Sequence, residues 1–344
     1  LFASVESVLA QDSFKIGENL ALEVTDNASK GDLIDRLEGQ FGKRGVIVRR
    51  NSANLGFCAA HNQGFAKFLQ GSADFFLVIN PDVFLEKECL SNLAGEISLH
   101  PRAGSATPKI YRADAQLKPL MPRMIDACGM YMTPSLRHLD RGSGEMEQGQ
   151  YNERAFVFGG SGACLLLRRE FVEQVKLEFE RADGALYSIY PQLKTAEQRP
   201  QIFDEAFFAY REDADLAWRG QLLGWKCLYV PGAVAYHQRV VLPERRESLL
   251  AEINRLSVRN RFLLQIGNLD LGVALRCLIS GLIFRNLVVL LGVFLKERSS
   301  IRGLRDVLVL WGRTISRRQI TFKQGNNSRL ARWFKARPYI EVLQ

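Results

Sequence analysis

The sequence predicts an α/β fold, and three observations carry that prediction. Phe75–Ile79 (FFLVI) is a continuous apolar run, the composition of a strand buried on both faces. Shorter apolar runs stand at Leu20–Val24 and Val46–Val48, with a further one, WKCLYV, at Trp225–Val230. Polar residues follow the first three runs: TDNAS, then Asn51 onward, then Asn80-Pro81-Asp82. In an α/β fold, residues just past the carboxyl end of a strand face the ligand crevice.

Taken in order, LFASVESVLAQDSF at the start reads as an amphipathic helix and not as a cleavable signal. Asp26, after the first run, is a crevice residue or a turn acid, since Asp, Asn and Ser all make turns. Asn54, Gly56 and Gly64 flank a helix start near Ala59, where small residues and free N–H groups admit a phosphate or a sugar. His61 reads as a helix-surface residue. Pro81 closes the third strand and leaves Asp82 at its carboxyl end, or the three residues make a simple turn. Ile125-Asp126 and DRGSGEMEQGQY read as a hairpin or loop, with Asp126 and Asp140 as turn acids. Gly159–Gly162 makes a glycine turn into another strand, with Gly160 and Gly162 placed to offer N–H groups to a sugar or to shape the turn.

Phe203–His237 organises the rest. Phe203, Phe207, Phe208 and Tyr210 form an aromatic approach, and Glu212, Asp213 and Asp215 open a helix running to about Leu223. Gly224 is its C-cap, and WKCLYV with Pro231 reads as a short strand that stops abruptly. Acids in a first helical turn suit the positive end of the dipole. The sharper reading makes one of them a general base, with His237 nearby.

The pattern FDxxFFxYxEDxDLxWR…GWxxxYxPxAxxxH, with NxxNxGFxxxxNxG at Asn51–Gly64, LVINPDV, DNAS and GGSGACLLLRR, closely resembles inverting family 2 glycosyltransferases. The nearest kin are bacterial rhamnosyltransferase-like members that build surface polysaccharides, and the resemblance covers roughly residues 1–262. It implies a GT-A fold, Rossmann-like with a mostly parallel sheet flanked by helices, as a catalytic domain over residues 1–240. It also implies a first strand, lining the nucleotide pocket, ahead of Leu1. Asp213 is then the base and Glu212 an acceptor contact or loop support. Asp26, Asn54, Gly56, Asn80, Asp82, Gly160 and Gly162 would face the nucleoside-diphosphate sugar. Asp82 would hold Mg²⁺ or Mn²⁺, with Asn80 in place of the family's first acid and His237 as a further metal ligand. The stretch between Phe171 and Gln201 is longer than the family pattern and reads as a variable surface loop.

Composition bounds these readings. The chain has 344 residues, 47% hydrophobic and 24% charged, which is globular and not disordered. Six scattered cysteines without a CxxC pair read as reduced core thiols. Residues 241–344 carry 19 Lys/Arg against 7 Asp/Glu, a net +12, whereas the first 240 carry 27 against 30. The basic part is helical in pattern from Glu244 to Gly267, with an RNR at 259–261, then strongly apolar over Leu271–Leu295 but broken by Arg276 and Arg285. Leu304, Leu308, Trp311 and Ile315 share one face of a following helix, and Arg302, Asp306, Arg313 and Arg317 another. That suggests an extension lying in the headgroup plane of an anionic membrane, as a peripheral protein on the cytoplasmic face of the inner membrane, although packing onto the catalytic domain gives the same pattern. The acceptor is then a lipid-linked saccharide.

Two other classes compete with this reading. A sugar nucleotidyltransferase calls for a glycine-rich basic loop near the N-terminus, and the sequence has none there. A basic nucleic-acid-binding protein explains the charge but not the carboxylates, and the aliphatic runs among the arginines speak for lipid and against nucleic acid.

Overall fold

The computed structural model describes residues 1–179, 183–194, 199–239, 250–325 and 329–343. The chain begins with helix α1 (Phe2–Leu9), then strand β1 (Glu23–Asp26), helix α2 (Leu33–Phe41) and strand β2 (Ile47–Arg50). β1 and β2 pair in parallel, Glu23 opposite Ile47 through Asp26 opposite Arg50. Helical spacing puts Ile34, Leu37 and Phe41 on the inner side of α2, and Leu37 and Phe41 pack with Val5 and Val46.

Helix α3 (Gly56–Gln70) leads into β3 (Phe75–Ile79), β4 (Val83–Leu85), α4 (Cys89–Leu99) and β5 (Ala103–Arg112). Then come β6 (Ile125–Ala127), the hairpin β7 (Met130–Met132) and β8 (His138–Asp140), β9 (Ala155–Val157) and β10 (Cys164–Arg168). Helices α5 (Arg169–Val175), α6 (Gly184–Ile189) and α7 (Glu212–Leu222) precede β11 (Lys226–His237). The main sheet runs β12 (Glu341–Val342), β9, β11, β5, β10, β3, with β4 beside β11 and β6 beside β5.

This sheet is mixed. Within it β11 and β5 are parallel, while β10 runs antiparallel to both β3 and β5. The mostly parallel sheet of the sequence reading is therefore corrected to a mixed one. β10 lies between β5 and β3 and runs opposite to both, and β9 runs opposite to β11, so only the β5–β11 pair of the main sheet is parallel among the described residues.

The strand at Trp225–Val230 does not stop at Pro231. It continues to His237 through a register shift between Val230 and Val234, where proline removes a ladder donor and the chain bulges. The first half of β11 pairs with β9 and the second half with β4, His237 lying opposite Val83. That bulge delivers His237 to the end of the NPD turn.

The extension rejoins the body repeatedly. Of the helix expected over Glu244–Gly267, residues 244–249 lie outside the described residues, and α8 spans Ala251–Asn268. Next come α9 (Leu271–Arg276), a π-helical stretch Leu278–Arg285, α10 (Asn286–Leu295), α11 (Ile301–Val309) and α12 (Trp311–Gln324). Leu278–Leu295 is long and apolar enough to cross a membrane by length and composition, with mean hydropathy 2.2. It lies strapped along the body: Ser280 donates to Pro134 O at 2.9 Å, Asn286 exchanges bonds with Arg261 and Gln265, and Val293 is buried. Its other face exposes Ile279, Ile283, Phe284, Leu287, Leu291 and Phe294.

The last helix breaks at Leu310, and its polar side faces inward. Arg313 and Arg317 are buried against the body, while Leu308 and Trp311 are exposed at 74% and 51%. All six cysteines are buried and free.

Candidate active site

The site forms where the strand ends converge. β3 ends at Ile79, and Asn80–Val83 closes a turn in which Val83 N–H donates to Asn80 O at 3.2 Å. The turn and the crevice position are thus one feature. Asp82 Oδ1 is buried and has no hydrogen-bond partner, and it faces His237 Nε2 at 3.5 Å. His237 Nδ1 lies 2.8 Å from Asp126 Oδ2. Burial opposes a charge on this imidazole, yet Asp126 and Asp82 raise its pKa to about 9.

Asp126 is buried and, with Asp140, is more than a turn acid. Arg239 reaches Asp126 Oδ1 at 3.2 Å and Asp140 Oδ2 at 2.7 Å. Burial alone would raise the Asp126 carboxyl, but His237 and Arg239 hold it below its usual value. Burial lifts Asp140 to about 6 against the opposing charge of Arg239. Sequence reasoning missed this network because its partners are about 100 residues apart; only the β11 bulge brings them together.

An imidazole fixed at Nδ1 by a carboxylate, with Nε2 aimed at an orphaned carboxylate oxygen, has the donor set and outer-shell support of a metal ligand. Asp82 and His237 therefore fit a divalent cation. Among the described residues no cluster of three or more His, Cys, Asp and Glu side chains is suited to a metal. The rest of a coordination shell falls to water and phosphate oxygens, as hard cations accept. The peptide N–H of Asn80 donates to Ala163 O at 3.0 Å, which places Asn80 beside the glycine turn.

The second half of the site is the start of α7. Asp213 is half-buried; its Oδ2 accepts Gly162 N–H at 3.1 Å and its Oδ1 accepts Ala214 N–H at 2.7 Å. Burial raises its pKa against these N–H donors and the charges of Arg211 and Arg239. Glu212 is buried with Oε2 unpartnered, and burial and Asp213 push its pKa well up. Gly162 spends its N–H on Asp213 and not on an open cleft. Gly160 packs where a Cβ would come within 2.7 Å of Thr107 and Leu165.

The approach to this helix is strained. Phe208, Tyr210 and Arg211 all have positive φ, which non-glycine residues adopt at a cost. α8 holds them: Asn260 Nδ2 donates to the carbonyls of Phe207, Ala209 and Tyr210 at 2.9, 2.8 and 2.7 Å, and Arg259 donates to Phe207 O at 2.8 Å. Gly56, at φ +82°, meets this segment so closely that a Cβ would lie 2.7 Å from Phe208 O. Tyr190 stacks on Phe208 with ring centroids 4.5 Å apart. The stretch read as a variable surface loop thus contains α6 and a buried tyrosine stacked on the aromatic segment ahead of α7; its residues 180–182 and 195–198 lie outside the described residues.

Further support comes from Asn62, fully buried, which exchanges bonds with the backbone of Ile202 and Phe203 and with Glu205. Asp215 sits between Arg219, Asn268 and Arg317, at 2.9, 2.7 and 2.8 Å. Asp204 receives Arg313 at 2.6 Å. Of the arginines read from sequence as one face of a headgroup-plane helix, Arg313 and Arg317 therefore face carboxylates inside the body, while Arg302 is exposed. Asp26 and Asn54 lie on the other side. Asp26 Oδ1 accepts Ser29 N–H at 3.1 Å, and Asn54 Oδ1 accepts Gly56 N–H at 2.9 Å, both turn-forming bonds. Asn27 bridges them by donating to Gly56 O at 3.2 Å. His61 is half-buried and packed on Phe57 with ring centroids 4.1 Å apart, and burial lowers its pKa to about 4.

Comparison with known proteins agrees with this frame. The profile of Glycosyl transferase family 2 matches residues 1–176, just over half of the chain. N-acetylglucosaminyl-diphospho-decaprenol L-rhamnosyltransferase of Mycobacterium tuberculosis is 31% identical over 208 residues, covering 56% of this chain and 59% of its own length. The chain thus spans about three fifths of the curated relatives it matches. The crystal structure of GalNAc-T7 with UDP, GalNAc and Mn²⁺ superposes with a TM-score of 0.50 at 14% identity, covering 77% of this chain and 44% of that one. S. aureus TarS 1-349 in complex with UDP-GlcNAc gives 0.49 at 17% identity, covering 99% and 95%. The fold is of the GT-A type, and the chain belongs to glycosyl transferase family 2.

Proposed function

We propose that the chain transfers a sugar, with rhamnose as the candidate, from a nucleoside diphosphate to a lipid-linked saccharide with inversion. The reaction serves cell-surface polysaccharide synthesis at the cytoplasmic face of the inner membrane. The observation that carries the reading is Asp213, a half-buried carboxylate held by two N–H donors and acted on by the charge of Arg239, which itself belongs to a polar line running Asp82, His237, Asp126, Arg239, Asp140.

Asp213 takes the proton of the acceptor hydroxyl as its oxygen bonds to the anomeric carbon. The bond from that carbon to the diphosphate oxygen breaks, and its electron pair leaves with the nucleoside diphosphate. The raised pKa of Asp213 strengthens it as a base. A Mg²⁺ or Mn²⁺ ion held by Asp82 and His237 would supply charge neutralisation for the diphosphate. Arg239 keeps Asp126 and Asp140 paired beside it, and Asn260 fixes the backbone from which Asp213 projects.

The relative's name supports the acceptor and the sugar: that protein acts on a diphospho-decaprenol-linked N-acetylglucosamine. The exposed apolar face of Leu278–Leu295, with Leu308 and Trp311, supports a membrane surface. Because that stretch is bonded to the body at Ser280 and Asn286 and buries Val293 against it, it fits a helix lying in the interface and not one spanning the bilayer. Exposed Lys296, Arg298, Arg302 and Arg305 beside it suit anionic headgroups.

The test is a thermal-shift screen of nucleotide sugars with and without Mn²⁺, followed by transfer onto a prenyl-diphosphate-linked N-acetylglucosamine in vesicles. A metal-dependent donor shift and an elongated lipid product are expected. Transfer to neither this acceptor nor any lipid-linked saccharide would overturn the reading.

A further inference from the structure

The extension reaches the catalytic helix through buried charges that the reaction above does not use. Asp204 and Asp215 stand at the two ends of the segment that carries Glu212 and Asp213. Asp204 opens it by accepting Ala206 N–H at 3.0 Å, and Asp215 lies in the first turn of α7. Both carboxylates are buried, and α12 meets both. Arg317 Nη1 donates to Asp215 Oδ1 at 2.8 Å and lies 3.6 Å from Asp204 Oδ2. One helical turn earlier, Arg313 Nη1 stands 2.6 Å from Asp204 Oδ1, and Arg313 Nε donates to Asp183. Arg317 Nη2 also donates to Asn268 Oδ1 at 2.7 Å, and Asn268 Nδ2 donates to Asp215 Oδ1 at 2.7 Å.

The direction of these bonds matters more than their strength. Residues two apart on an α-helix point roughly 200° away from each other. Holding Asp215 against the extension therefore turns Asp213 the other way, toward Gly162 N–H at 3.1 Å. The segment between Asp204 and Asp215 does not fix its own shape, since Phe208, Tyr210 and Arg211 have positive φ. Asp183, Asp204 and Asp215 face Arg219, Arg313 and Arg317, so the buried acids are matched by as many guanidiniums. Such pairs add little net stability, but any other arrangement leaves a buried charge alone. α8 makes room for the arrangement: a Cβ at Gly267 would lie 2.5 Å from Arg317 Nη1.

We infer that Arg317 is a positioning residue for the transfer: through Asp215 it sets the rotation of α7, and so the direction of Asp213. The extension that carries the apolar face thereby completes the active site. This deepens the proposed function and rests on Asp213 being its base.

Three variants of the full chain test the inference. Arg317→Lys keeps the charge and loses the fork, since one ammonium does not reproduce the paired Nη groups on Asp215 and Asn268. Gly267→Ala keeps every charged group and pushes the guanidinium aside, so it decides the matter where Arg317→Lys does not fold. Arg255→Gln is the control: Arg255 Nε donates to Asp306 Oδ2 at 2.9 Å and ties α8 to α11 within the extension, away from α7. A reacting group displaced by about 1 Å loses roughly 10²-fold in rate. Arg317→Lys and Gly267→Ala should therefore lower kcat by about that factor. Their donor KM should not change, because strand ends and not α7 carry Asp82 and His237. Arg255→Gln should keep kcat within about threefold of wild type even where its melting temperature falls as far. The amide NMR resonance of Gly162, bonded to Asp213, reads the carboxylate's position without any reaction. It should move in the first two variants and stay in the third. If it does so while the wild type transfers no sugar, the positioning stands and only the functional reading fails. A Gly162 resonance unmoved in Gly267→Ala, or a kcat there within about threefold of an active wild type, would overturn the inference. Losses of kcat in all three variants in proportion to lost stability would also overturn it, leaving Arg317 a structural tie.

Discussion

Replacing Asn260 by alanine should disable the enzyme from a residue that touches no substrate. Its Nδ2 donates to the carbonyls of Phe207, Ala209 and Tyr210, at 2.9, 2.8 and 2.7 Å, in the segment where Phe208, Tyr210 and Arg211 hold positive φ. The amide has two N–H groups for these three acceptors, so at roughly 1 kcal/mol net for each N–H the substitution costs about 2 kcal/mol of stability. Strain of about 1 kcal/mol at each left-handed residue is then free to relax the loop. Glu212 and Asp213 follow directly, so their carboxylates move with it. A displacement of about 1 Å in a reacting group costs roughly 10²-fold in rate. The expected result is kcat lowered about 10²-fold with donor affinity by calorimetry unchanged, measured below the reduced melting temperature. A variant that loses stability yet keeps kcat within about threefold of wild type would show that the loop holds its shape without Asn260, and the reasoning would fail.

Other outcomes follow from the same geometry. Asp213→Asn should lower turnover by roughly 10²–10⁴-fold with donor binding retained, and near-normal transfer would remove Asp213 as the base. Because the base must be ionised and its pKa is raised by burial, kcat/KM should fall on acidification at a pH above the ordinary Asp range, and an acid limb at or below that range would contradict the assignment. Donor affinity should drop in excess EDTA and in Asp82→Ala alike; equal affinity with and without EDTA would exclude a metal at Asp82 and His237. Charging the outer helix face with Ile283→Asp and Leu287→Asp should abolish flotation with anionic vesicles. Flotation of the wild type should weaken only in part in high salt, since Arg313 and Arg317 are spent on Asp204, Asp183 and Asp215 inside the body and the screened attraction is that of exposed Lys296, Arg298, Arg302 and Arg305 beside the apolar face.

The sequence made some elements plain and concealed others, for physical reasons. The strand FFLVI, the helix from Glu212 and the left-handed Gly224 just past its C-cap Leu223 were legible because each is written in local periodicity or composition, but FFLVI ends the main sheet's strand order with only Val78 buried, where its apolar run implied burial on both faces. Asp82 and His237 stand together as the motif resemblance implied, which needed no knowledge of the path between them. The extent of β11 was misread because Pro231 ends most strands; here it produces a bulge and the strand resumes. Asp126 and Asp140 were read as turn acids since turns favour Asp, and nothing local announces a partner such as Arg239. The orientation of α12 was ambiguous by nature. An amphipathic helix has two faces, and only Asp204 and Asp215, distant in sequence, reveal that its arginines point inward.

The stereochemistry of the product bears most directly on the central claim that Asp213 serves a single direct displacement. Proton NMR of the newly formed linkage, recorded on product from early turnover, gives the anomeric configuration relative to that of the donor. The opposite configuration is the result expected for one attack from the face away from the diphosphate. A retained configuration would require two displacements or a front-face route, and would contradict the role assigned to Asp213.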